Sequence, residues 1–168
     1  NVLVEEFTGT WCGYCPQGIV TMEKLRETYT DGSVIPVAVH NRDEMSSTTF
    51  SSVDQTYSTG YPSAIMNRQM YIKAIFPVAD CIEEIEEYQS YPAPAKVTAT
   101  AHFNAAKNGI IFDTKTAFSF GNDKASEDYV LSFAVTEDKV GPYEQNNNFS
   151  GSTTVPGWGN KPNKVETI

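Results

Sequence analysis

Two patterns of hydrophobic and polar residues follow one another along the first half of the chain. Short apolar runs are followed by segments in which apolar residues recur every three or four positions, as on one face of a helix. This pattern predicts strands at 2–7, 33–40, 64–67 and 69–72 and helices at 16–29, 50–57 and 77–88. Strand–helix–strand units that end in a hairpin and a final helix indicate an α/β fold, with a mostly parallel sheet covered by helices.

The second half follows a different pattern. Alternating polar and apolar residues at 96–104, 110–120 and 129–136 predict antiparallel strands with one buried face. The remainder, up to residue 168, is polar and rich in Gly, Asn and Pro, and it contains no convincing helical pattern. We therefore expect a β-rich second half.

A domain boundary is predicted at the proline-rich segment 91–95. Proline cannot continue a helix or donate to a strand ladder, so two prolines in this segment form a stiff extended connector. Most of the negative charge lies before this point. We expect one domain at 1–91 and a second, β-rich domain at 92–168.

Overall composition excludes some function classes. The chain carries 12 Lys and Arg against 21 Asp and Glu, a net charge of −9, and an acidic chain of this kind disfavours nucleic-acid binding. No apolar run approaches the roughly 20 residues that a membrane-spanning helix needs. The first residues already resemble the start of a strand, which is compatible with a leader peptide having been removed.

The clearest chemical signal is the Cys12–Gly13–Tyr14–Cys15 sequence, which lies where a strand passes into a helix. Cysteines at this spacing can form a tight disulfide. The positive end of the helix favours the thiolate of Cys12, which can attack a substrate disulfide, and Cys15 can then resolve the mixed disulfide.

The alternative for these two cysteines is half of a zinc site. A structural zinc ion would need two more Cys or His ligands at suitable spacing. Only Cys81, His40 and His102 remain, each isolated in the sequence, so the pattern favours redox chemistry and predicts no metal.

The first half resembles the thioredoxin superfamily, since VLVEEFTGTWCGYCP matches its strand, tryptophan and CxxC helix. The resemblance implies a thioredoxin-like mixed sheet with flanking helices. In that superfamily a cis-proline loop packs beside the disulfide, and the resemblance implies that Pro62 is cis and that the Tyr61 backbone pairs with substrate. An ordinary trans turn at this proline is the alternative.

The same resemblance places Glu6 at the position of a buried acid that accepts the proton of Cys15. Period-2 alternation puts Glu6 on one face of its strand and Glu5 on the other. A solvated Glu6 at the strand end is an alternative reading, and Glu5 is the competing candidate for the base.

Other residues near the motif have less specific signals. Trp11 and Tyr14 are expected to offer an aromatic contact surface to substrate, although Trp11 could instead be a core residue. His40 could line the site, but a single histidine at a strand end is more often only hydrogen-bonded. Cys81 lies on an apolar helical stripe and is expected to be a buried small hydrophobic residue.

Three segments narrow the resemblance: EEFTGTWCGYCPQG, GYPSAIMNR and LSFAVTEDKVGPYEQNNNFSG. Together they are similar to the outer membrane protein 28 family, which joins a thioredoxin-like domain to an immunoglobulin-like β domain. The resemblance implies export to the periplasm or outer-membrane surface of a Gram-negative bacterium. Because an immunoglobulin-like sandwich has about seven strands, residues 92–168 are expected to form a partial sandwich.

The resulting hypothesis is an exported thiol–disulfide oxidoreductase. Its substrates would be protein thiols or disulfides, its redox group the Cys12–Cys15 disulfide without any further cofactor, and an unidentified protein would serve as redox partner. The rival hypothesis is a surface binding or adhesion module that uses the same scaffold without turnover.

Overall fold

The structure is a computed structural model that describes residues 1–119 and 130–167. Its strands are β1 (Val2–Thr8), β2 (Val34–His40), β3 (Ser63–Met66), β4 (Met70–Ile72), β5 (Ala95–Phe103), β6 (Ile110–Phe118), β7 (Tyr143–Asn146) and β8 (Lys164–Thr167). Its helices are α1 (Pro16–Thr28), α2 (Ser51–Tyr57) and α3 (Val78–Gln89). All seven elements predicted in the first half are confirmed, with boundaries that differ by a few residues.

The central sheet has four strands in the order β2-β1-β3-β4. Strand β1 runs parallel to β2 and antiparallel to β3, and β4 returns antiparallel to β3. The fold is therefore mixed α/β. Of the three pairings described for this sheet one is parallel, so the prediction of a mostly parallel sheet is wrong: β3 lies antiparallel to β1, and the hairpin adds β4 antiparallel to β3.

The two faces of the sheet bury different helices. Val2 and Val4 of β1 pack with Leu25 of α1 and Ile85 of α3 in the larger core. On the opposite face, Phe7 packs with Val39 and Ile65 and with partly buried side chains that include Phe50 and Val53 around α2. The alternation along β1 thus separates a face under α1 and α3 from a face under α2.

Contacts divide the chain differently from the predicted two domains. The second unit begins at Tyr91, close to the predicted boundary, but it ends at Val135, and the chain from Thr136 onward belongs to the first unit. The physical reason is a third core, in which Phe149, Val155 and Trp158 pack against side chains of α1. Because this part of the chain is mostly polar, the sequence pattern did not indicate that these three apolar residues are buried.

The second unit is built on a hairpin. Strands β5 and β6 pair antiparallel over nine residues each, and most of their side chains are exposed. The predicted strand at 129–136 differs from the structure, because residues 130–136 form no strand; residue 129 lies outside the described residues, as does residue 120 of the predicted strand 110–120. Phe133 instead stacks on Phe112, with ring centroids 4.2 Å apart.

Strands β7 and β8, which the pattern did not predict, pair antiparallel with each other. Among the described residues after 92, both sheets are therefore two-stranded, and these residues do not close a seven-stranded sandwich. No helix in the described parts of the chain has the length and apolar content needed to cross a membrane.

Candidate functional site

Cys12 and Cys15 form a disulfide in the loop that joins β1 to α1, with their Cα atoms 5.4 Å apart. The loop is closed by the Cys12 amide, which donates to the Gly9 carbonyl, and by the Cys15 amide, which donates to the Cys12 carbonyl. Cys15 caps α1, and Pro16 occupies the first helical position, where its missing N–H costs nothing. Cys12 is 5% exposed, and Cys15 is fully buried.

The third cysteine, Cys81, differs from Cys12 and Cys15 because it forms no disulfide. Cys81 is a free thiol in the larger core, and burial together with the nearby Glu84 charge raises its pKa to about 12. A thiol with so high a pKa is almost entirely protonated at neutral pH and is a poor nucleophile. Among the described residues, no three His, Cys, Asp or Glu side chains are grouped to hold a metal ion.

Glu6 is buried on the β1 face that lies under α1. Its carboxyl group approaches Gly18 so closely that a β-carbon at that position would overlap it. Glu6 is 1% exposed, and its Oε1 atom has no hydrogen-bond partner. Burial raises its pKa to about 8, and the neighbouring Thr8 hydroxyl offsets this only in part, without reaching hydrogen-bond geometry to Oε1. Glu6 is therefore a mostly protonated carboxyl group at neutral pH.

Glu5 has a different environment. Arg68 donates two hydrogen bonds to its carboxylate, from Nε to Oε2 at 2.8 Å and from Nη2 to Oε1 at 2.7 Å. The ion pair raises the pKa of Arg68, and the bidentate geometry satisfies both carboxylate oxygens. Of the two candidate bases, Glu5 is committed to a structural ion pair, and Glu6 retains an unpaired oxygen.

The Tyr61–Pro62 bond is cis, which confirms the prediction from the sequence. The Tyr61 ring lies edge-on to the Trp11 ring, with centroids 5.1 Å apart, so the proline loop adjoins the disulfide loop. Trp11 is 43% exposed and Tyr14 is 59% exposed. Both aromatic residues of the disulfide loop therefore present surface that a partner chain can contact.

A buried carboxylate connects these two loops. Asp54 of α2 accepts hydrogen bonds from the Tyr61 hydroxyl at 2.8 and 3.0 Å and another from the side-chain amide of Asn41. The Asn41 carbonyl in turn accepts from the Trp11 indole nitrogen at 2.7 Å. The aromatic pair is thus held by polar contacts at both of its members.

His40 belongs to a second polar cluster at the end of β2. A hydrogen bond of 2.7 Å joins its Nδ1 to Asp43 Oδ2, which also accepts the Thr10 amide at 2.8 Å. Burial acts to raise the pKa of Asp43, but the bonds from His40 and Thr10 outweigh it and hold that pKa below its usual value. His40 is therefore hydrogen-bonded, and it also lines the cavity that reaches Glu6.

That cavity has a volume of about 390 Å³ and lies between the central sheet, α1 and the returning C-terminal part of the chain. Glu6 and His40 line one part of it, and Gln145, Trp158 and Lys161 line another. Polar groups and this volume together allow water to reach the neighbourhood of the buried carboxyl group.

The backbone of the C-terminal part of the chain docks on the disulfide loop through residues 145–148, which we call the C-terminal strap. The Asn146 amide donates to the Thr10 carbonyl at 2.7 Å, and the Asn148 amide donates to the Gly13 carbonyl at 2.9 Å.

Side chains of the strap extend the same contact. Gln145 Nε2 donates to the Cys12 carbonyl at 2.8 Å and lies 3.4 Å from the Gly9 carbonyl. Asn146 Nδ2 donates to the Trp11 carbonyl at 2.8 Å. The strap thus supplies donors to every carbonyl from residue 10 to residue 13.

The fit between strap and loop also depends on small and aromatic residues. A β-carbon at Gly13 would overlap the Asn148 side chain, so glycine is the residue that allows this approach. The Tyr14 ring lies edge-on to Phe149, with centroids 5.9 Å apart.

Several of these residues were not identified from the sequence: Gly18, Asn41, Asp43, Asp54, Gln145, Asn146 and Asn148. The only local signal for the strap was an unusual run of amide side chains at 145–148. Amide runs are common in loops, and nothing local indicates which carbonyls such side chains will reach.

No family profile matches the chain, and no curated protein matches it. Among solved structures, the chain is similar to HBP35 of Porphyromonas gingivalis, with 29% sequence identity and a TM-score of 0.46. The similarity covers 60% of this chain and 37% of that one.

Proposed function

We propose that this protein is an exported thiol–disulfide oxidoreductase of the thioredoxin superfamily that exchanges disulfides with protein substrates. The observation that carries the proposal is the Cys12–Cys15 disulfide at the start of α1, on the same side of the sheet as the buried carboxyl group of Glu6. A disulfide at a helix start supplies an electrophile and, once reduced, a stabilised thiolate.

The exchange begins when a substrate thiolate attacks Cys12 Sγ. The Cys12–Cys15 bond breaks, its electron pair passes to Cys15 Sγ, and the substrate is joined to Cys12 by a mixed disulfide. A second substrate thiolate then attacks the substrate sulfur of that mixed disulfide, and Cys12 leaves as a thiolate. The substrate dithiol is oxidised to a disulfide, the protein is reduced, and the reverse sequence reduces a substrate disulfide.

Glu6 is the proposed proton donor and acceptor for Cys15. With a pKa of about 8 it carries a proton at neutral pH, which it can give to the Cys15 thiolate as the internal disulfide opens. In the reverse direction its carboxylate takes the Cys15 proton and creates the resolving thiolate. The unpaired Oε1 atom and the adjoining cavity support this role, because water can relay the proton.

Substrate docking is proposed at the surface next to the disulfide. The exposed rings of Trp11 and Tyr14 would contact the substrate side chains, and the Tyr61 backbone before Pro62 would pair with the substrate chain. Pairing of this kind uses main-chain hydrogen bonds, which suits substrates of varied sequence.

We further propose that the protein works in the periplasm or at the outer-membrane surface of a Gram-negative bacterium, where disulfides persist, and that a separate protein restores its redox state after each cycle. The resemblance to exported proteins supports this location.

The decisive experiment measures insulin reduction by the full chain together with the reduction potential of Cys12–Cys15. Catalysed reduction, or catalysed oxidation of a reduced substrate, is expected, and the Cys12→Ser variant should abolish it. A full-length protein that binds substrates but shows no turnover in either direction would favour the binding-module hypothesis.

A further inference from the structure

The backbone carbonyls of the disulfide loop all receive donors from a segment more than 130 residues away in the sequence. The most buried of these donors is Gln145, whose side chain bonds to the Cys12 carbonyl at 2.8 Å. The backbone N–H of Asn148 donates to the next carbonyl, that of Gly13, at 2.9 Å. The strap therefore determines the direction of two successive peptide groups directly after Cys12.

The same contacts also fix the direction of the N–H groups that follow these carbonyls in the chain. In a trans peptide the carbonyl of one residue and the N–H of the next point in opposite directions. Because the Cys12 and Gly13 carbonyls point to the strap, the N–H groups of Gly13 and Tyr14 point away from it. The strap therefore orients two of the donors at the start of the turn.

These donors matter because Cys12 begins the turn. The Cys15 amide donates to the Cys12 carbonyl, so residues 12–15 form the turn that leads into α1, and Cys15 is the N-cap of that helix. Successive backbone N–H groups in a turn form a concave site that binds negative charge, and the Gly13 and Tyr14 N–H groups that the strap orients directly follow Cys12 in the chain. A thiolate at this position is stabilised by those donors and by the helix dipole.

We propose that Gln145 is a positioning residue for the Cys12 thiolate: it anchors the Cys12 carbonyl and so holds the following N–H groups where they stabilise the negative charge on Cys12 Sγ. Gln145 touches neither the sulfur atoms nor substrate in this role, and it acts through the backbone of the loop. The inference deepens the proposed function, on which it rests.

Asn147 provides a matched control in the same segment. Like Gln145 it is a buried amide, but its Nδ2 bonds to the carbonyls of Trp158 and Pro162, both within the C-terminal part of the chain. Gln145→Met and Asn147→Leu both remove buried amide donors at nearly constant volume. Only the first removes a donor to the disulfide loop.

The test is the rate of iodoacetamide alkylation at Cys12 in the reduced full chain, followed from pH 5 to pH 10 by peptide mass. Gln145→Met is expected to raise the pKa of the Cys12 thiol and to slow alkylation near pH 6 by about three- to tenfold, the size of a helix-terminus effect. At pH 10, where both proteins are ionised, the rates should converge. Asn147→Leu should lower the thermal unfolding midpoint and leave the pH profile unchanged.

Two outcomes overturn the proposal: a Gln145→Met profile identical to that of the wild type, or an equal shift in Asn147→Leu, which would show that general loosening is sufficient. If Gln145→Met does not fold, Asn146→Ala removes the half-buried donor to the Trp11 carbonyl. It should then give a smaller shift in the same direction, and no shift would count against the proposal. Failure of the proposed function is a separate result, in which the wild-type protein lacks turnover even though its Cys12 pKa depends on Gln145.

Discussion

The carboxyl group of Glu6 lies directly against the backbone of Gly18, in the first turn of α1. This approach exists because residue 18 has no side chain, and it brings a buried acid of β1 against the helix that Cys15 caps. The absence of a side chain at residue 18 thus gives the Glu6 carboxyl group room beside the first turn of α1.

Gly18→Ala is expected to destabilise the protein by about 1–3 kcal/mol, because the new methyl group overlaps the Glu6 carboxyl and the core must shift. In a Glu6→Ala background the same substitution should instead be neutral or stabilising by up to about 1 kcal/mol, since alanine is the better helix former. Chemical unfolding of the four proteins measures this coupling. Equal effects of Gly18→Ala in both backgrounds would contradict the contact.

Stability should depend on pH through Glu6. Its pKa is about 8 in the folded protein against 4.5 for the free group, so the folded state keeps a proton that the unfolded state loses between these values. Folding free energy contributed by this group is fully present below pH 4.5 and is lost as pH rises toward 8.

The Glu6→Gln variant cannot ionise and should lack this loss. Relative to the oxidised wild type, its free energy of unfolding is expected to rise by a few kcal/mol between pH 4.5 and pH 8. This size follows from about 1.4 kcal/mol for each unit of pKa shift. Urea unfolding at a series of pH values provides the measurement. A difference that stays constant with pH would mean that Glu6 ionises normally in the folded protein.

Cys15→Ser should leave substrates trapped on Cys12. The variant keeps the attacking thiolate but cannot resolve the mixed disulfide, so covalent adducts should accumulate and be released by dithiothreitol. Cys12→Ser should abolish both trapping and turnover. The buried Cys81 serves as a control, since Cys81→Ser should change neither reaction.

The Glu5–Arg68 ion pair should be costly to break on one side only. Arg68→Met leaves a buried carboxylate without its two donors and is expected to destabilise the protein by about 3–5 kcal/mol. Replacing both partners, as in Glu5→Leu with Arg68→Met, should recover much of that loss. Unfolding free energies at pH 7 would show this, and a double variant as unstable as Arg68→Met would argue against the pair.

Tyr61→Phe removes the hydroxyl that donates to Asp54 and leaves that buried carboxylate with fewer donors. A loss of about 1–3 kcal/mol is expected. Trp11 fluorescence should also change, because the neighbouring ring is no longer anchored. Ser58→Ala is the control: its bond to the Tyr61 hydroxyl is long, at 3.4 Å, so both readouts should remain close to the wild type.

The local pattern of the sequence was sufficient for the elements of the first half and for the position of the disulfide. Period-2 alternation placed Glu5 and Glu6 on opposite faces of β1, and the helix pattern began directly after Cys15. Such features depend on neighbours within a few residues, so a single sequence carries them. Alternation could not decide which glutamate is paired, because Arg68 approaches Glu5 from 63 residues away.

Only the tertiary structure decided where the C-terminal part of the chain goes. Its composition is that of a polar loop, and its few apolar anchors show no periodicity, so the local pattern assigned it to the second domain. In the fold, Phe149, Val155 and Trp158 bury against α1, and this burial brings Gln145 to the Cys12 carbonyl across 133 residues of sequence. Hydrophobic burial is non-directional, so a chain pattern can show that such residues will be buried but not against which surface.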